Sequence, residues 1–590
     1  MMLATAQSET RKKPAEPVVL GQATSPGPKD RNDDFHGALI PEGQMLASKG
    51  RIFAVADGIS TSSFGGSAAQ TAIRSLMSDY FATPEAWTAK TAISRVVNAT
   101  NSWLNAQSSF KGIYDPDRGY VCTLATLVLK GATAHIFNIG DSRIWRVTGD
   151  TLEPLTRVHR VTLSDGQTVL SRALGVESAI EIDYRKETVA RGDVYILSTD
   201  GLHEVWNEKQ VVAAIKSASK EQDLDAVAAA IIEDALDNGA DDNLTIQIIR
   251  IDQRLDQSRY SFSTDEDLQP LTVRLTPGSM LDGITILREI HSNHRSEIFI
   301  GHLEDGRKVC VKIPAQTVLQ DEEALRRFMI EEWVARRINS PHTVSVPTHD
   351  SSRSGLYLLT DLVEGQTLRQ WMHDNPERSV EQVRTILEQI IKGLRAIHRK
   401  EMLHQDLRPE NIILSEDLHV TIIDFGSAYV AGVQEAGPAG TDAEIMGTVQ
   451  YTAPEYYAAQ AINWRSDLFS LGVIAYELFT DALPYGTQVS HMRKASDLRK
   501  LRYQKAQSAR RIIPDWIDDA LARAVHPIPE KRFDALSEFA GALRAPSIHY
   551  RAKAQKPLFD RTPLEVWRIA AIILAGICLG QGLLLAEKFQ

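Results

Sequence analysis

HQDLRPENIILSEDLHVTIIDFG, His404–Gly426, is the stretch that decides what the second half of this chain is. It sets two acids, Asp406 and Asp424, beside an amide, Asn411, and a cation, Arg408, with short apolar runs between them. Working outward, VCVKI (Val309–Ile313) alternates like a strand and holds Lys312. A lysine in such a strand ordinarily points to solvent. FMIEEWVARRI (Phe328–Ile338) reads as an amphipathic helix with Glu331 inside it. Downstream follow GTVQYTAPE (Gly447–Glu455), SDLFSLGVIAYEL (Ser466–Leu478) and PEKRF (Pro529–Phe533). Helical periodicity is clearest over Val380–Lys400 and Ser466–Phe479.

This ordered set resembles the eukaryotic-like protein kinases over about Leu281 to Ala545. The resemblance implies a bilobal kinase fold that uses ATP and Mg²⁺. It implies that Lys312 pairs with the α- and β-phosphates and with Glu331, and that Asp406 accepts or orients the proton of the attacking hydroxyl. Asn411 and Asp424 would hold Mg²⁺, Arg408 would stand near the γ-phosphate, and Ile290 and Ile298 would flank the nucleotide. Such groups suit phosphoryl transfer, which needs positioning and charge neutralisation more than covalent help. Glu455 is expected to pair with Arg532, and Asp467 to bond the catalytic-loop backbone. Two departures stand out. The loop HSNHRS (His291–Ser296) has no glycine where the family has G-x-G-x-x-G, which puts ATP affinity in question. Gln405 replaces the arginine that grips a phosphorylated activation loop. With Ser427 and Thr441 the aliphatic hydroxyls of Ser427–Met446, activation-loop phosphorylation is not expected to be the main switch.

The first half reads differently. Strands are predicted at Arg51–Ala56, Cys122–Leu129, Ala134–Ile139, Ser142–Val147, Asp193–Ser198 and Leu244–Ile249. Helices are predicted at Ser67–Phe81, Lys90–Ala106, Glu208–Lys216 and Leu224–Leu236. Buried strands with long helices indicate layers of strand and helix. Acids gather at strand ends: Asp57-Gly58, Asp141, Asp200-Gly201 and Asp242, with Asn32-Asp33-Asp34 upstream. Carboxylates without histidine or cysteine partners suit hard divalent ions such as Mg²⁺ or Mn²⁺.

NDD (Asn32–Asp34), VADG (Val55–Gly58), TLATLVL (Thr123–Leu129), GDSR (Gly140–Arg143), SRALG (Ser171–Gly175), STDGL (Ser198–Leu202) and GADDNLT (Gly239–Thr245) together resemble the metal-dependent serine/threonine phosphatases of the PPM family, type 2C. The resemblance spans about Leu20 to Arg250 and implies a β-sandwich flanked by helices. It implies that Asp57, the carbonyl of Gly58, Asp200 and Asp242 hold paired Mn²⁺ or Mg²⁺ ions. Asp33 and Asp34 would support those ions, and Asp141 would hold a third. Paired ions would activate a water for attack on phosphorus. Lys29 stands where the family has its phosphate-binding arginine, offering a point charge rather than a bidentate fork. Asp33 replaces the commoner Glu, and Ile59 stands where some members carry a histidine proposed as general acid, so no general acid is assigned.

A chain of 590 residues needs more than one core. The predicted order is a disordered tail at 1–17, a phosphatase domain at 18–252, a linker at 253–280, a kinase domain at 281–545, a basic connector at 546–568 and a transmembrane helix at 569–586: multidomain α+β. The span reading rests on IAAIILAGICLGQGLLLA, eighteen residues without a charge. It would reach about 27 Å as a helix. Arg551, Lys553, Lys556, Arg561 and Arg568 precede it and only Lys588 follows, which predicts both catalytic domains in the cytoplasm, anchored to the inner or plasma membrane. Three scattered cysteines, Cys122, Cys310 and Cys578, fit neither a zinc site nor a disulfide framework. The net charge of −11 argues against a nucleic-acid partner. Expected partners are protein substrates modified on Ser or Thr, and the bilayer. Two other readings stay open: an active phosphatase with a pseudokinase module, and a membrane scaffold in which neither site turns over.

Overall fold

The computed structural model describes residues 17–588 except 114–117, 163–167, 219–222, 256–269, 272–273, 349–352, 436–449, 458–461, 487, 490–496, 498–499, 509, 511 and 556–563. The expected tail therefore lies outside the described residues up to 16, and so does most of the expected linker. The chain divides into two compact units. The first is Met1–Gln269 with Arg399–Met402 and Tyr429–Asp442; the second is Pro270–His398, Leu403–Ala428 and Ala443–Gln590.

In the first unit, among the described residues of Met1–Gln269, the strands are β1 (Val18–Ser25), β2 (Asp34–Leu39), β3 (Arg51–Asp57), β4 (Leu124–Lys130), β5 (Thr133–Ile139), β6 (Arg143–Thr148), β7 (Thr151–Pro154), β8 (Arg160–Thr162), β9 (Thr168–Leu170), β10 (Asp183–Thr188), β11 (Val194–Ser198) and β12 (Leu244–Ile251). Its main helices are α1 (Gly43–Lys49), α2 (Gly65–Ala82), α3 (Ala89–Phe110), α4 (Asp200–His203), α5 (Glu208–Ser217) and α6 (Leu224–Asp237). Two antiparallel five-stranded sheets form, in the orders β1-β12-β11-β6-β7 and β10-β5-β4-β3-β2. Phe53 and Val55 of β3 pack with Tyr195 and Leu197 of β11 and Ile249 of β12 in a core between the sheets. Ile52, Ala54 and Ala56 of β3 point the other way and pack on α2 and α3. Ile196 and Ile248 likewise turn outward onto α5 and α6. Both faces of the central strands are thus buried, which is why they read as continuous apolar runs instead of alternating ones. Each fully buried Ile, Leu or Phe contributes about 1.5–3 kcal/mol. The six predicted strands and four predicted helices all form, within a few residues of their expected ends. Sequence patterning did not mark β1, β2 or β7–β10, whose residues are mostly half-exposed.

In the second unit a five-stranded antiparallel sheet runs β13 (Met280–Leu281), β14 (Ile284–Ser292), β15 (Ser296–His302), β16 (Lys308–Pro314), β17 (Leu358–Asp361) in chain order. Two helices, α7 (Gln316–Leu319) and α8 (Glu322–Arg337), follow β16. The remainder is mostly helical, with Val380–His398 and Trp464–Thr480 at its core. Fourteen of the seventeen residues of Trp464–Thr480 are buried, so this helix is apolar on nearly every side. Beside it Glu455 accepts from both Nη atoms of Arg532, at 2.8 and 2.7 Å, with neither side chain more than 1% exposed. The expected pair is therefore present, and Arg532 also donates to the carbonyls of His526 and Arg465. Removing one member of such a pair strands a buried charge. Arg532→Ala is expected to lower stability by about 3–5 kcal/mol. Urea unfolding of the full chain followed by tryptophan emission checks this, and a loss below about 1 kcal/mol would contradict it.

Leu564–Lys588 forms a helix. Its side chains are described over 567–581. There Ile572, Leu574 and Leu579 are exposed. Among the described residues no helix is long and apolar enough to cross a membrane. The span expected at 569–586 is not borne out on those residues, because the side chains from 582 onward lie outside them.

Candidate active sites

In the first unit the acids converge at one end of the two sheets. The antiparallel register sets Asp34, at the start of β2, directly opposite Asp57, at the end of β3. Asp141 lies in the turn between β5 and β6, where Gly140 takes φ +99°. A Cβ at Gly140 would also approach Thr123 to 2.7 Å, so the turn demands glycine. Asp200 opens α4 directly beyond β11. One oxygen from each of Asp57, Asp141 and Asp200 lies within 4.8 Å of the others. Thr199 Oγ1 donates to Asp34 Oδ2 at 2.8 Å, tying Asp34 to the end of β11. Gly58 N donates to the Asp33 carbonyl, and a Cβ there would meet Gly65 at 2.2 Å.

The electrostatics call for a cation. Burial pushes the Asp34 carboxyl up to about 7 and the Asp200 carboxyl up to about 6, and neighbouring carboxylates add to both shifts. Burial followed by repulsion from Asp34, Asp200 and Asp141 raises Asp57 well above the carboxylate range. Asp34 Oδ1 and Asp141 Oδ1 are buried without a hydrogen-bond donor. Crowded hard oxygens with unused lone pairs fit divalent ions. Two further predicted residues are differently placed. Asp242 accepts from Lys29 Nζ, which also donates to Ser60 Oγ at 2.8 Å. Asp33 accepts from Arg31 Nη2 at 2.6 Å, and its N–H donates to Asn243 Oδ1.

In the second unit the strand register puts Lys312 of β16 between Ile298 and Leu358. Its Nζ donates to Glu331 Oε2 at 2.7 Å and lies 3.8 Å from Asp424 Oδ1. The solvent-facing orientation usual for such a lysine does not occur. Burial works against the Lys312 charge, but the Glu331 and Asp424 carboxylates outweigh it and hold its pKa up. Asp424 takes φ +65°, and its Oδ1 accepts from Gly426 N. Asn411 Nδ2 donates to the Asp406 carbonyl at 2.8 Å and to its Oδ2 at 3.1 Å. Burial raises the Asp406 carboxyl. Asp467 accepts from His404 N and Gln405 N at 2.9 and 3.0 Å, so the expected scaffold contact forms. Arg408 Nε donates to Glu410 Oε2 at 2.8 Å. Ile290 is exposed and Ile298 half-buried, on the two strands of the hairpin that ends at His291–Ser296. Thr441 lies outside the described residues.

Residues 29–244 match the family model for protein phosphatase 2C, and residues 294–540 match that for the protein kinase domain. The chain carries a type 2C phosphatase domain and a Ser/Thr protein kinase domain. The kinase domain is similar to serine/threonine-protein kinase PknL of Mycobacterium tuberculosis, 31% identical over 238 residues that cover 39% of this chain and 57% of that protein. It is also similar to serine/threonine-protein kinase Pkn1 of Myxococcus xanthus, 27% identical over 283 residues that cover 46% of this chain and 39% of that protein. The chain thus spans 57% and 39% of the length of these curated relatives. Among solved structures, the catalytic domain of the phosphatase PstP, in complex with 2 manganese ions, is 22% identical over 40% of this chain and 97% of that one, with TM-score 0.33.

Sequence motifs missed one member of the phosphatase site. Arg160, at the start of β8, donates through Nε to Asp141 Oδ2 and through Nη2 to Asp200 Oδ2, each at 2.5 Å, and through Nη1 to Glu204. His159 sets it there: His159 N donates to the Gly140 carbonyl, and Gly140 N donates to His159 Nδ1, both at 3.0 Å. No local pattern in the chain marks this arginine. In the kinase domain Arg369 was likewise unforeseen: it bonds Glu410 at 3.0 Å, beside Arg408, and Glu477 at 2.5 Å.

Proposed function

We propose that the chain is a bifunctional signalling enzyme, whose kinase domain transfers phosphate from ATP to Ser or Thr of a protein and whose phosphatase domain removes such phosphates. The observation that carries this reading is that two separate constellations occur in one chain: Asp57, Asp141 and Asp200 within 4.8 Å, and Lys312 bonded to Glu331 beside Asp424. Divalent ions, manganese or magnesium, held by the first group would supply an activated water and neutralise phosphate oxygens. In that site Asp57, Asp141 and Asp200 are the proposed ligands, with Gly58 and Asp242 beside them and Asp33 and Asp34 in support. Lys29 offers its charge to the substrate phosphate, next to Asp242. In the kinase cleft Lys312 holds phosphate oxygens while Asp406, fixed by Asn411, orients the attacking hydroxyl. Asn411 and Asp424 are the proposed Mg²⁺ ligands.

A second reading keeps the phosphatase active and makes the kinase domain a regulatory module. It is favoured by the hairpin at His291–Ser296, which lacks glycine and spends its amides internally. We also propose that 569–586 anchors the chain in a membrane with both catalytic domains on the cytoplasmic side. Its support is the charge-free stretch and the basic residues before it.

One preparation tests all three statements. Membranes from cells expressing the full chain should transfer labelled phosphate from ATP to protein, and should hydrolyse p-nitrophenyl phosphate with Mn²⁺. A chain ending at 563 should keep both activities in the soluble fraction. Absence of transfer would leave the regulatory reading, metal-independent hydrolysis would overturn the phosphatase, and a soluble full chain would overturn the anchor.

A further inference from the structure

In glycine-rich nucleotide loops, backbone N–H groups hold the phosphates. The hairpin joining β14 and β15 cannot work that way. Asn293 Oδ1 accepts from Arg295 N at 2.8 Å and from Ser296 N at 2.9 Å. Asn293 N is itself bonded to the Ser296 carbonyl at 3.0 Å. Three amides of the tip are therefore spent within the turn. No residue of His291–Ser296 has positive φ, so the turn needs no glycine and closes as an ordinary Asx-capped hairpin. The Asn293 side chain does this closing, and its backbone stays in an ordinary region.

What the tip offers instead is side-chain charge. Arg295 is exposed, with His291 and His294 beside it. The tip is pinned to the end of β16 and to α7: Arg295 O accepts from Ala315 N at 2.9 Å, and Thr317 Oγ1 donates to His294 O. The register pairs Ser296 with Pro314 and Ile298 with Lys312. Arg295 thus sits about 10 Å along the strand pair from Lys312, so a phosphate chain lying between them is within reach of both side chains. The cleft below already holds Lys312, Glu331 and Asp424.

We propose that Arg295 is the residue that grips the phosphates of the bound nucleoside triphosphate, its guanidinium replacing the amide cradle of a glycine loop. The proposal rests on the kinase reading of this cleft. A planar fork of donors suits phosphate oxygens, and it acts without the close backbone approach that glycine permits. Two consequences follow. The contact is ionic, so triphosphate affinity falls with salt more steeply than a neutral amide cradle would allow. It is also confined to the phosphates, so the adenosine moiety is held independently of it.

Calorimetric titration of the full chain with ATP and, separately, with adenosine tests this. Arg295→Ala should weaken ATP binding about ten- to a hundredfold, flatten its salt dependence and leave adenosine affinity within about twofold. Arg295→Lys should recover part of the ATP affinity, and Arg288→Ala, an exposed charge removed from the same hairpin, should change neither ligand. Unchanged ATP affinity in Arg295→Ala would overturn the proposal. Equal loss of ATP and adenosine would also overturn it, by showing that the residue only shapes the hairpin. If wild type bound neither ligand, the kinase reading itself would fall, a result distinguishable from both.

Discussion

Asp57→Asn is expected to cut Mn²⁺-dependent hydrolysis of p-nitrophenyl phosphate by roughly a thousandfold or more. Asp57 ends β3 opposite Asp34 and brings one carboxylate oxygen within 4.8 Å of those of Asp141 and Asp200. The amide keeps the size but removes a negative charge and one hard donor oxygen, and it brings an N–H₂ that points at cations. Metal-supplied stabilisation is worth several kcal/mol, and about 1.4 kcal/mol is a factor of ten. Calorimetry with Mn²⁺ should show the corresponding loss of binding, which separates a ligand role from a general loss of activity. The fold should survive, because the substitution relieves repulsion among buried carboxylates. Phosphate transfer by the kinase domain should be unchanged. Wild-type metal affinity in Asp57→Asn would remove this residue from the site.

Asp406→Asn should lower phosphate transfer by roughly a hundred- to ten-thousandfold. The carboxyl is held by Asn411 Nδ2 at 3.1 Å, on a loop whose backbone is fixed by Asp467. An asparagine can occupy the same place but cannot take the proton of an attacking hydroxyl. ATP affinity should therefore stay near wild type while the turnover number falls, the signature of an interaction used in the transition state. Phosphatase activity in the same chain serves as an internal control for folding. Transfer within about fivefold of wild type would exclude Asp406 from the chemistry.

Much of both sites was legible from local pattern. Continuous apolar runs located the central strands of the phosphatase domain because both faces of those strands are buried. Acids placed at the ends of such strands had to converge wherever the strands ended together. In the kinase domain the order of VCVKI, Glu331, HQDLRPEN and IIDFG foretold the bonds that Lys312 and Asp467 make. Edge strands escaped the reading because half-exposed residues leave no strong period.

What the chain's sequence determined by itself was therefore the identity of the two domains and the residue types at each site, since ordered motifs that resemble two families carry them. Only the tertiary structure decided which charges meet. Lys29 finds Asp242 across 213 positions, and Arg160 joins Asp141, Asp200 and Glu204. It also decided that a turn without glycine spends its amides on Asn293. The physical reason is range. Periodicity records burial one element at a time, whereas an ion pair or a shared amide depends on where folding brings distant segments.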